Sequence, residues 1–412
     1  MITRFQFSPR NTALAFLSGL FVRLLLMPFT VHHDLLCTAR RVSLWLYKGV
    51  FLLPYWAEVT YAAMIIPFKN SFESLSYILF LDASNYSVIP GDVSYTTFLQ
   101  SDQVFLNLFL LKLPYLIFDL FLLLIVARHY KNNIYSIVFW ALNPFLLYAV
   151  YMWGRYEVIP VFFAVLSIFM AEKSTLARQR YLSALCMGLA IGYRLSFLFY
   201  LPFLIIYLYK SRKEIIGLLV TAALPHLVFT SIVSLLQGGH SVEKYLNILF
   251  SAGVGEGFYD INLFLFVFII TILLSLKDKQ NNTLSFRRFI SYLSVSILSY
   301  FSFSYFYPQY ISWITPIAIL LVGADRIFLP LFLALFVPFF LLVDASFGCY
   351  TSVCLLTEAI NPNFAQSFNT IKNQMNELLI DPTLITVLHT VFFSVLFTIS
   401  YFVKKRVYEN KP

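Results

Sequence analysis

Charge is what this chain has least of. Only 12% of its 412 residues are Asp, Glu, Lys or Arg, and 60% are hydrophobic. Soluble domains carry about 25% charge and about 45–50% apolar residues. So little charge cannot keep a folded surface wet, which excludes a soluble globular protein. Cysteine is also scarce, with four residues at no metal-binding spacing. Cys349 and Cys354 share one polar segment, and the compartment that segment faces decides whether they pair. No internal repeat and no low-complexity stretch is visible, so residues 1–412 read as one membrane domain. The net charge of +9 then concerns sidedness in a membrane, not nucleic acid.

What is present is aromatic and apolar: 45 Phe and 27 Tyr, arranged in long runs. A span needs roughly 20 apolar residues. The runs predict an all-α polytopic membrane protein with about twelve spans, near 11–28, 104–127, 134–151, 156–171, 180–193, 195–209, 214–236, 261–276, 288–305, 309–323, 327–343 and 384–403. The fifth and sixth are short and read as a hairpin turning at Gly192-Tyr193-Arg194. The first run lacks a small-x-small cleavage site and carries Arg23, so a retained span is expected rather than a cleaved signal. With both termini on the cytoplasmic side, alternation gathers 19 of the 29 basic residues into cytoplasmic segments, as the positive-inside rule requires. The long polar segments 29–103, 237–260 and 344–383 then lie outside, at a plasma membrane or a reticular one. Residues 41–67 and 71–82 are apolar but interrupted by Lys48, Pro54, Glu58 and Glu73, and are expected as helices lying in the interface. Asn85-Tyr86-Ser87 is a glycosylation sequon in the same segment.

Ionisable groups within spans cost about 2.5–3.5 kcal/mol or more each and ask for a reason. Lys112 and Asp119 stand about two helical turns apart on one face, either as a structural network between helices or, for Lys112, as a cation for a substrate. Arg23, near the outer end of its span, is expected to snorkel. Arg194, at the tip of the hairpin, is expected to meet an anion. Two aromatic-polar turns face the same outer side. One is Asn143-Pro144 leading to Trp153-Gly154-Arg155-Tyr156-Glu157; the other is Tyr307-Pro308-Gln309-Tyr310 followed by Trp313. Each suits an aromatic belt at headgroup depth, or a binding surface of rings with Arg, Glu and Gln among them. Directly after the first span comes Thr30-Val31-His32-His33-Asp34. Asp34 is read either as a residue capping the following helix or as a catalytic carboxylate.

These motifs resemble the C-type (GT-C) superfamily of membrane glycosyltransferases. The resemblance rests on an Asp just after span one, Lys112-Leu113-Pro114 with Asp119 in span two, an Asn-Pro…Trp-Gly-x-x-acid turn, and a Pro-Gln-Tyr-x-x-Trp turn, all in order. The last two are similar to patterns of its polyprenyl-phosphate-mannose users. The resemblance implies a multi-spanning helical fold and transfer of a hexose, mannose first, from a polyprenyl- or dolichyl-phosphate donor to a hydroxyl of a lipid-linked or glycan acceptor, with inversion. It implies Asp34 as general base. His33, Arg155, Tyr156, Glu157, Arg194, Tyr307, Gln309, Tyr310 and Lys112 would bind substrate, with Arg155 and Arg194 foremost for the phosphate. The chain departs from the pattern at Arg155, where Gln is usual, at Glu157, where Asp is usual, and in lacking a second acid beside Asp34. Those positions bear on which sugar is taken and whether a divalent metal takes part; no cofactor is otherwise implied. The absence of any Asp-x-Asp pair agrees with a lipid donor. Membrane lipids are the remaining partners. The principal alternative is a secondary transporter or flippase for a lipid-linked or small anionic substrate, against which stands the lack of two related halves. A lipid-glycan ligase would want Arg or His in the 344–383 segment, which has neither. A scaffold leaves Arg194 and Lys112 unexplained.

Overall fold

The computed structural model of the protein describes residues 9–48, 93–130, 133–236, 258–303, 308–347, 355, 359–360 and 382–408. Among the described residues it is all helical, with no strand. The chain opens with α1 (Pro9–Phe29), α2 (His33–Lys48) and α3 (Val93–Leu99). Then follow α4 (Val104–His129), α5 (Ile134–Leu142) and α6 (Pro144–Leu146), which runs into a π-helical turn, Leu147–Met152. Next are α7 (Val158–Glu172), α8 (Ala177–Tyr193), a 3-10 turn (Leu195–Tyr200) and α9 (Leu201–Leu208). After these come α10 (Arg212–Leu236), α11 (Phe258–Gln280) and α12 (Phe286–Phe303). A second 3-10 turn (Pro308–Ile314), α13 (Thr315–Ala324), α14 (Phe328–Phe347) and α15 (Pro382–Phe402) complete the series.

Among the described residues, each of the twelve apolar runs overlaps a helical stretch. Four of these, Arg10–Phe29, Val104–His129, Ile134–Met152 and Val387–Lys405, are long and apolar enough to cross a membrane by length and composition among the described residues. Val158–Glu172, Leu195–Leu208, Pro308–Ala324 and Phe328–Val343 are apolar but shorter, so the expected twelve is not reached by that measure. The outward faces are nevertheless greasy: Leu17 and Phe21 on α1, Ile216 and Val220 on α10, and Phe266 and Leu273 on α11 are all exposed. Apolar surface in such continuous stripes marks a membrane protein. The interfacial segments expected at 49–67 and 71–82, the Asn85 sequon, the 237–257 segment, Tyr307, and Cys349 with Cys354 lie outside the described residues.

The core is built from α1 against α4 and α5, α7 against α8, and α8 against α10. The α8–α10 crossing is tight at Gly188, where a Cβ would stand 2.1 Å from the Ala222 carbonyl oxygen. Only glycine lets those backbones approach so closely, a habit of helices packed in lipid.

The charges within the bundle are spent on this packing. Arg23 does not snorkel; it is fully buried. Its Nε donates to Asp119 Oδ2 at 2.6 Å, and its remaining nitrogens donate to the carbonyls of Gly19, Ala141 and Trp140 at 3.0, 3.1 and 2.7 Å. Asp119 also accepts from Trp140 Nε1 at 2.7 Å and from the Tyr151 hydroxyl at 2.8 Å. A paired carboxylate 96 residues away in sequence makes burial cheaper than a reach to the surface, so the snorkelling expectation fails. Lys112, buried as well, donates to Met27 O at 3.1 Å, Thr30 O at 2.5 Å, Thr30 Oγ1 at 2.6 Å and Tyr151 O at 2.9 Å. Its three protons are taken up by protein oxygens. Of the two readings of Lys112, these bonds fit the structural one: it ties the end of α1 to the π-helical turn after α6.

Candidate active site

The end of α1 and the turn after α6 are the two segments that Lys112 joins, and each continues directly into site residues. From Thr30 the chain passes through Val31, whose N–H donates to Leu355 O at 3.1 Å, and enters α2 at His33. His32 Nδ1 accepts from the Asp34 backbone N–H at 3.1 Å, satisfying one of the N–H groups a helix start leaves open. Asp34 thus sits in the first turn of α2, where a negative charge is favoured by the helix dipole. Helix capping and a chemical role are compatible at this residue, and the side chain shows what else the carboxylate does.

On the other segment, Asn143 ends α5 and starts α6. Its Oδ1 accepts from Phe145 N at 3.1 Å and Leu146 N at 3.4 Å, and Pro144 occupies the first helical position, where proline is preorganised. The π-helical turn then swings Trp153-Gly154-Arg155 against α2. Gly154 has φ +80°, and a Cβ there would lie 2.8 Å from Leu35 Cβ. The glycine of this motif is required twice, by its dihedral and by the approach to α2.

The two segments meet at the Asp34 carboxylate. Trp153 Nε1 donates to Oδ2 at 2.9 Å, and Arg155 Nη1 lies 3.4 Å from the same oxygen. The His32 ring lies between His33 and Trp153, each centroid 4.0 Å away and tilted by 36° and 35°. Burial pushes the Asp34 carboxyl up, but Arg155, His32, the Trp153 hydrogen bond and His33 outweigh it and hold the group below the usual carboxylate range. Burial lowers His32, with His33 and Arg155 adding to that and Asp34 opposing it. His33 is lowered by burial and by Arg155 against the opposing pull of Asp34. The site near neutral pH is thus a carboxylate, two neutral imidazoles and a guanidinium. Asp34 retains 26% side-chain exposure, so the carboxylate is reachable while largely shielded.

From Arg155 the site extends sideways. Its guanidinium lies 5.3 Å from the Tyr156 ring centroid, and Arg194 lies 4.9 Å from that same ring. Arg194 ends α8 in an extended conformation, which places the hairpin turn where the sequence put it. The anion it meets is Glu157, fully buried. Arg194 Nε donates to Glu157 Oε1 at 2.8 Å and Nη2 bonds the same oxygen. Trp313 Nε1 donates to Glu157 Oε2 at 3.0 Å. Tyr310 stacks on Trp313 at 4.2 Å and lies 5.5 Å from the Arg194 guanidinium. Tyr200 fixes this turn by donating to Trp313 O at 2.7 Å.

Asp34, His33, Arg155, Tyr156, Glu157, Arg194 and Tyr310 therefore form one linked group. Gln309 is buried beside Tyr310 in sequence, and among the described residues its Oε1 has no hydrogen-bond partner. Arg155 Nε is also buried without a partner. Tyr307 lies outside the described residues, and Lys112 is committed to the carbonyls below. Three contributors were not singled out from sequence: His32, Trp153 and Trp313. Each stands within a motif already noted, so the signal was adjacency to a chosen residue. His32, His33 and Asp34 offer ligand atoms within 4.8 Å of one another, the donor types of a divalent-metal site, although Arg155 already supplies positive charge to that carboxylate. Comparison with protein-family models, with curated proteins and with solved structures found no match.

Proposed function

We propose that the chain is an integral-membrane glycosyltransferase. It moves a hexose, mannose first, from a polyprenyl- or dolichyl-phosphate donor to a hydroxyl of a lipid-linked or glycan acceptor on the extracytoplasmic side, with both termini cytoplasmic. The observation that carries the reading is the Asp34–Arg155 pair: a shielded carboxylate and an under-bonded guanidinium 3.4 Å apart, flanked by rings.

In the reaction the acceptor hydroxyl gives its proton to Asp34 as its oxygen attacks the anomeric carbon. The bond from that carbon to the phosphate oxygen breaks, its electron pair leaves with the phosphate, and the sugar carbon inverts. A carboxylate at hydrogen-bond distance serves as such a base, and a fixed cation stabilises the charge growing on the leaving phosphate. Arg155 is the better placed of the two arginines, because Glu157 already neutralises Arg194 while Arg155 Nε lacks a partner. Arg194 and Glu157 then act as a scaffold presenting Tyr156, Tyr310 and Trp313, whose faces suit stacking against a pyranose. The unpartnered Gln309 Oε1 is an acceptor for a sugar hydroxyl.

Donor binding also adjusts the base. Arg155 is the foremost of the groups holding the Asp34 carboxyl down. A phosphate anion seated on Arg155 offsets that influence, so Asp34 becomes more basic when a donor is bound. A place for the prenyl tail begins about one turn beyond Arg194: an apolar groove of about 440 Å³ lined by Leu198, Leu201, Ile205, Ile215, Leu219 and Leu276.

The test is an assay of membranes bearing this protein with radiolabelled polyprenyl-phosphate mannose and, separately, the glucose donor, beside an Asp34→Asn variant. Label transfer that depends on Asp34 supports the reading. Uptake or flipping of substrate in liposomes without any sugar transfer overturns it in favour of a transporter.

A further inference from the structure

A second charged cleft lies at the opposite end of α7 from Glu157. α7 is 15 residues long, so the two ends are about 22 Å apart at 1.5 Å per residue. Here the last turns of α4 and α7 and the first turn of α8 enclose a cleft of about 260 Å³. Its walls are Ile125, Leu166, Phe169 and Met170, and its rim carries Arg128, Lys173 and Gln179.

The acid adjoining Lys173 in sequence, Glu172, is turned to a histidine, not to either cation of the rim: His129 Nε2 holds it at 2.8 Å. The His129 ring stacks on Phe169 at 3.6 Å, nearly parallel at 3°, which fixes both the acid and the wall. Among the described residues neither Arg128 nor Lys173 has a carboxylate partner. Basic residues at helix C-termini complement the helix dipole without any ligand. An apolar cleft opening beneath two such cations is not needed for that purpose. It matches an amphiphile with an anionic head and a hydrocarbon tail, and basic pockets between membrane helices are a known form of lipid headgroup site.

We propose that this cleft binds an anionic phospholipid, its phosphate seated by Arg128 and Lys173 and an acyl chain lying against Ile125, Leu166 and Met170. The site is separate from the Asp34 cluster and does not depend on the transfer reaction. Gln179 faces the phosphate from the start of α8, where its Oε1 also accepts from Thr175 N at 3.1 Å and Leu176 N at 3.3 Å. A carboxylate at that position accepts the same bonds and suits a helix N-terminus, so Gln179→Glu adds a negative charge at the rim while leaving the helix start intact.

The experiment is a titration of the full purified chain in non-ionic detergent, read by native mass spectrometry, with phosphatidylglycerol, phosphatidylcholine and inorganic phosphate as probes. One phosphatidylglycerol should be retained at least tenfold more tightly than phosphatidylcholine. Arg128→Gln with Lys173→Gln should remove that preference. Gln179→Glu should weaken it several-fold with thermal unfolding in lipid-free detergent unchanged. Arg326→Gln, an exposed basic residue outside the cleft, should leave it intact. Equal retention of the two lipids, no greater loss in the double variant than in Arg326→Gln, or displacement of the lipid by millimolar inorganic phosphate overturns the proposal.

Discussion

Replacing Asp34 by Asn tests the proposed reaction with little change of shape. The amide keeps the volume, and its oxygen can still accept from Trp153 Nε1, now 2.9 Å from Oδ2. Two things are lost. One is the charge facing Arg155 across 3.4 Å at a side chain 26% exposed, a partly solvated pair contributing about 1 kcal/mol to stability. The other is the proposed proton acceptor; removal of such a base typically costs about 10²–10⁴-fold in rate, or roughly 3–5 kcal/mol of barrier. Fold and function should therefore separate: a small drop in unfolding temperature, and transfer reduced to a percent or less. The assay pairs thermal unfolding of purified protein with transfer of radiolabelled mannose from a short-chain polyprenyl phosphate, at equal amounts of folded protein. Transfer by the Asn variant above a few percent of the parent rate would refute Asp34 as the base, whatever the remaining site looks like.

Other outcomes follow from the same contacts. Arg155→Gln removes the open guanidinium; it should raise the donor KM and cut transfer by about 10²-fold or more, while steady-state kinetics of Arg194→Gln should be accompanied by a clear loss of thermal stability because Glu157 is left buried and unpaired. Asp119→Asn leaves Arg23 fully buried without its counter-ion, and thermal unfolding in detergent should reveal a loss of about 3–5 kcal/mol. Stability should fall with acid: the folded state holds His32 and His33 below 6.5, so the unfolded chain binds protons the folded one does not as pH drops through about 6.5. A melting curve series should be level from pH 8 to 7 and decline below, with a shallower decline in His32→Gln; the depressed Asp34 adds a further loss only below about pH 4.

The positions of the helices were legible because hydrophobicity alone dictates them. The Arg194 turn was legible for a related reason, since a cation between two short apolar runs has few places to go. The residues of the candidate site were legible where their type was costly for their surroundings: Asp34, Arg155, Glu157 and Arg194 stand out against a chain so poor in charge. What was not legible is pairing. Nothing near Arg23 in sequence names Asp119 as its partner, and nothing near Lys112 shows that carbonyls at Met27, Thr30 and Tyr151 await it. Such contacts are set by helix crossings, and those depend on small residues like Gly188 whose partners lie one or more helices away. Trp153 and Trp313 were hidden differently. Their indole N–H groups bond Asp34 and Glu157, but a tryptophan at headgroup depth reads first as a belt residue.

Lys112 shows why a buried charge can matter to a site it does not enter. Its ammonium bonds Thr30 O and Tyr151 O, and four residues past the first lies Asp34, two past the second Trp153. The carboxylate and its indole donor, 119 residues apart in sequence, are thus anchored at their bases by one cation. An apolar residue there would remove the ammonium from the Met27 and Thr30 carbonyl oxygens at about 1–3 kcal/mol each, while Tyr151 O would keep the Thr30 hydroxyl as its donor. Lys112→Met should lower stability by about 3 kcal/mol or more, and in the surviving folded protein it should disturb the indole environment of Trp153. A shift in tryptophan emission that Lys112→Met and Asp34→Leu share, and that the Asn variant at position 34 lacks, would separate loss of the Asp34–Trp153 contact from loss of charge. Emission of Lys112→Met matching that of Asp34→Asn, with Asp34→Leu shifted, would show that the anchor does not govern the contact.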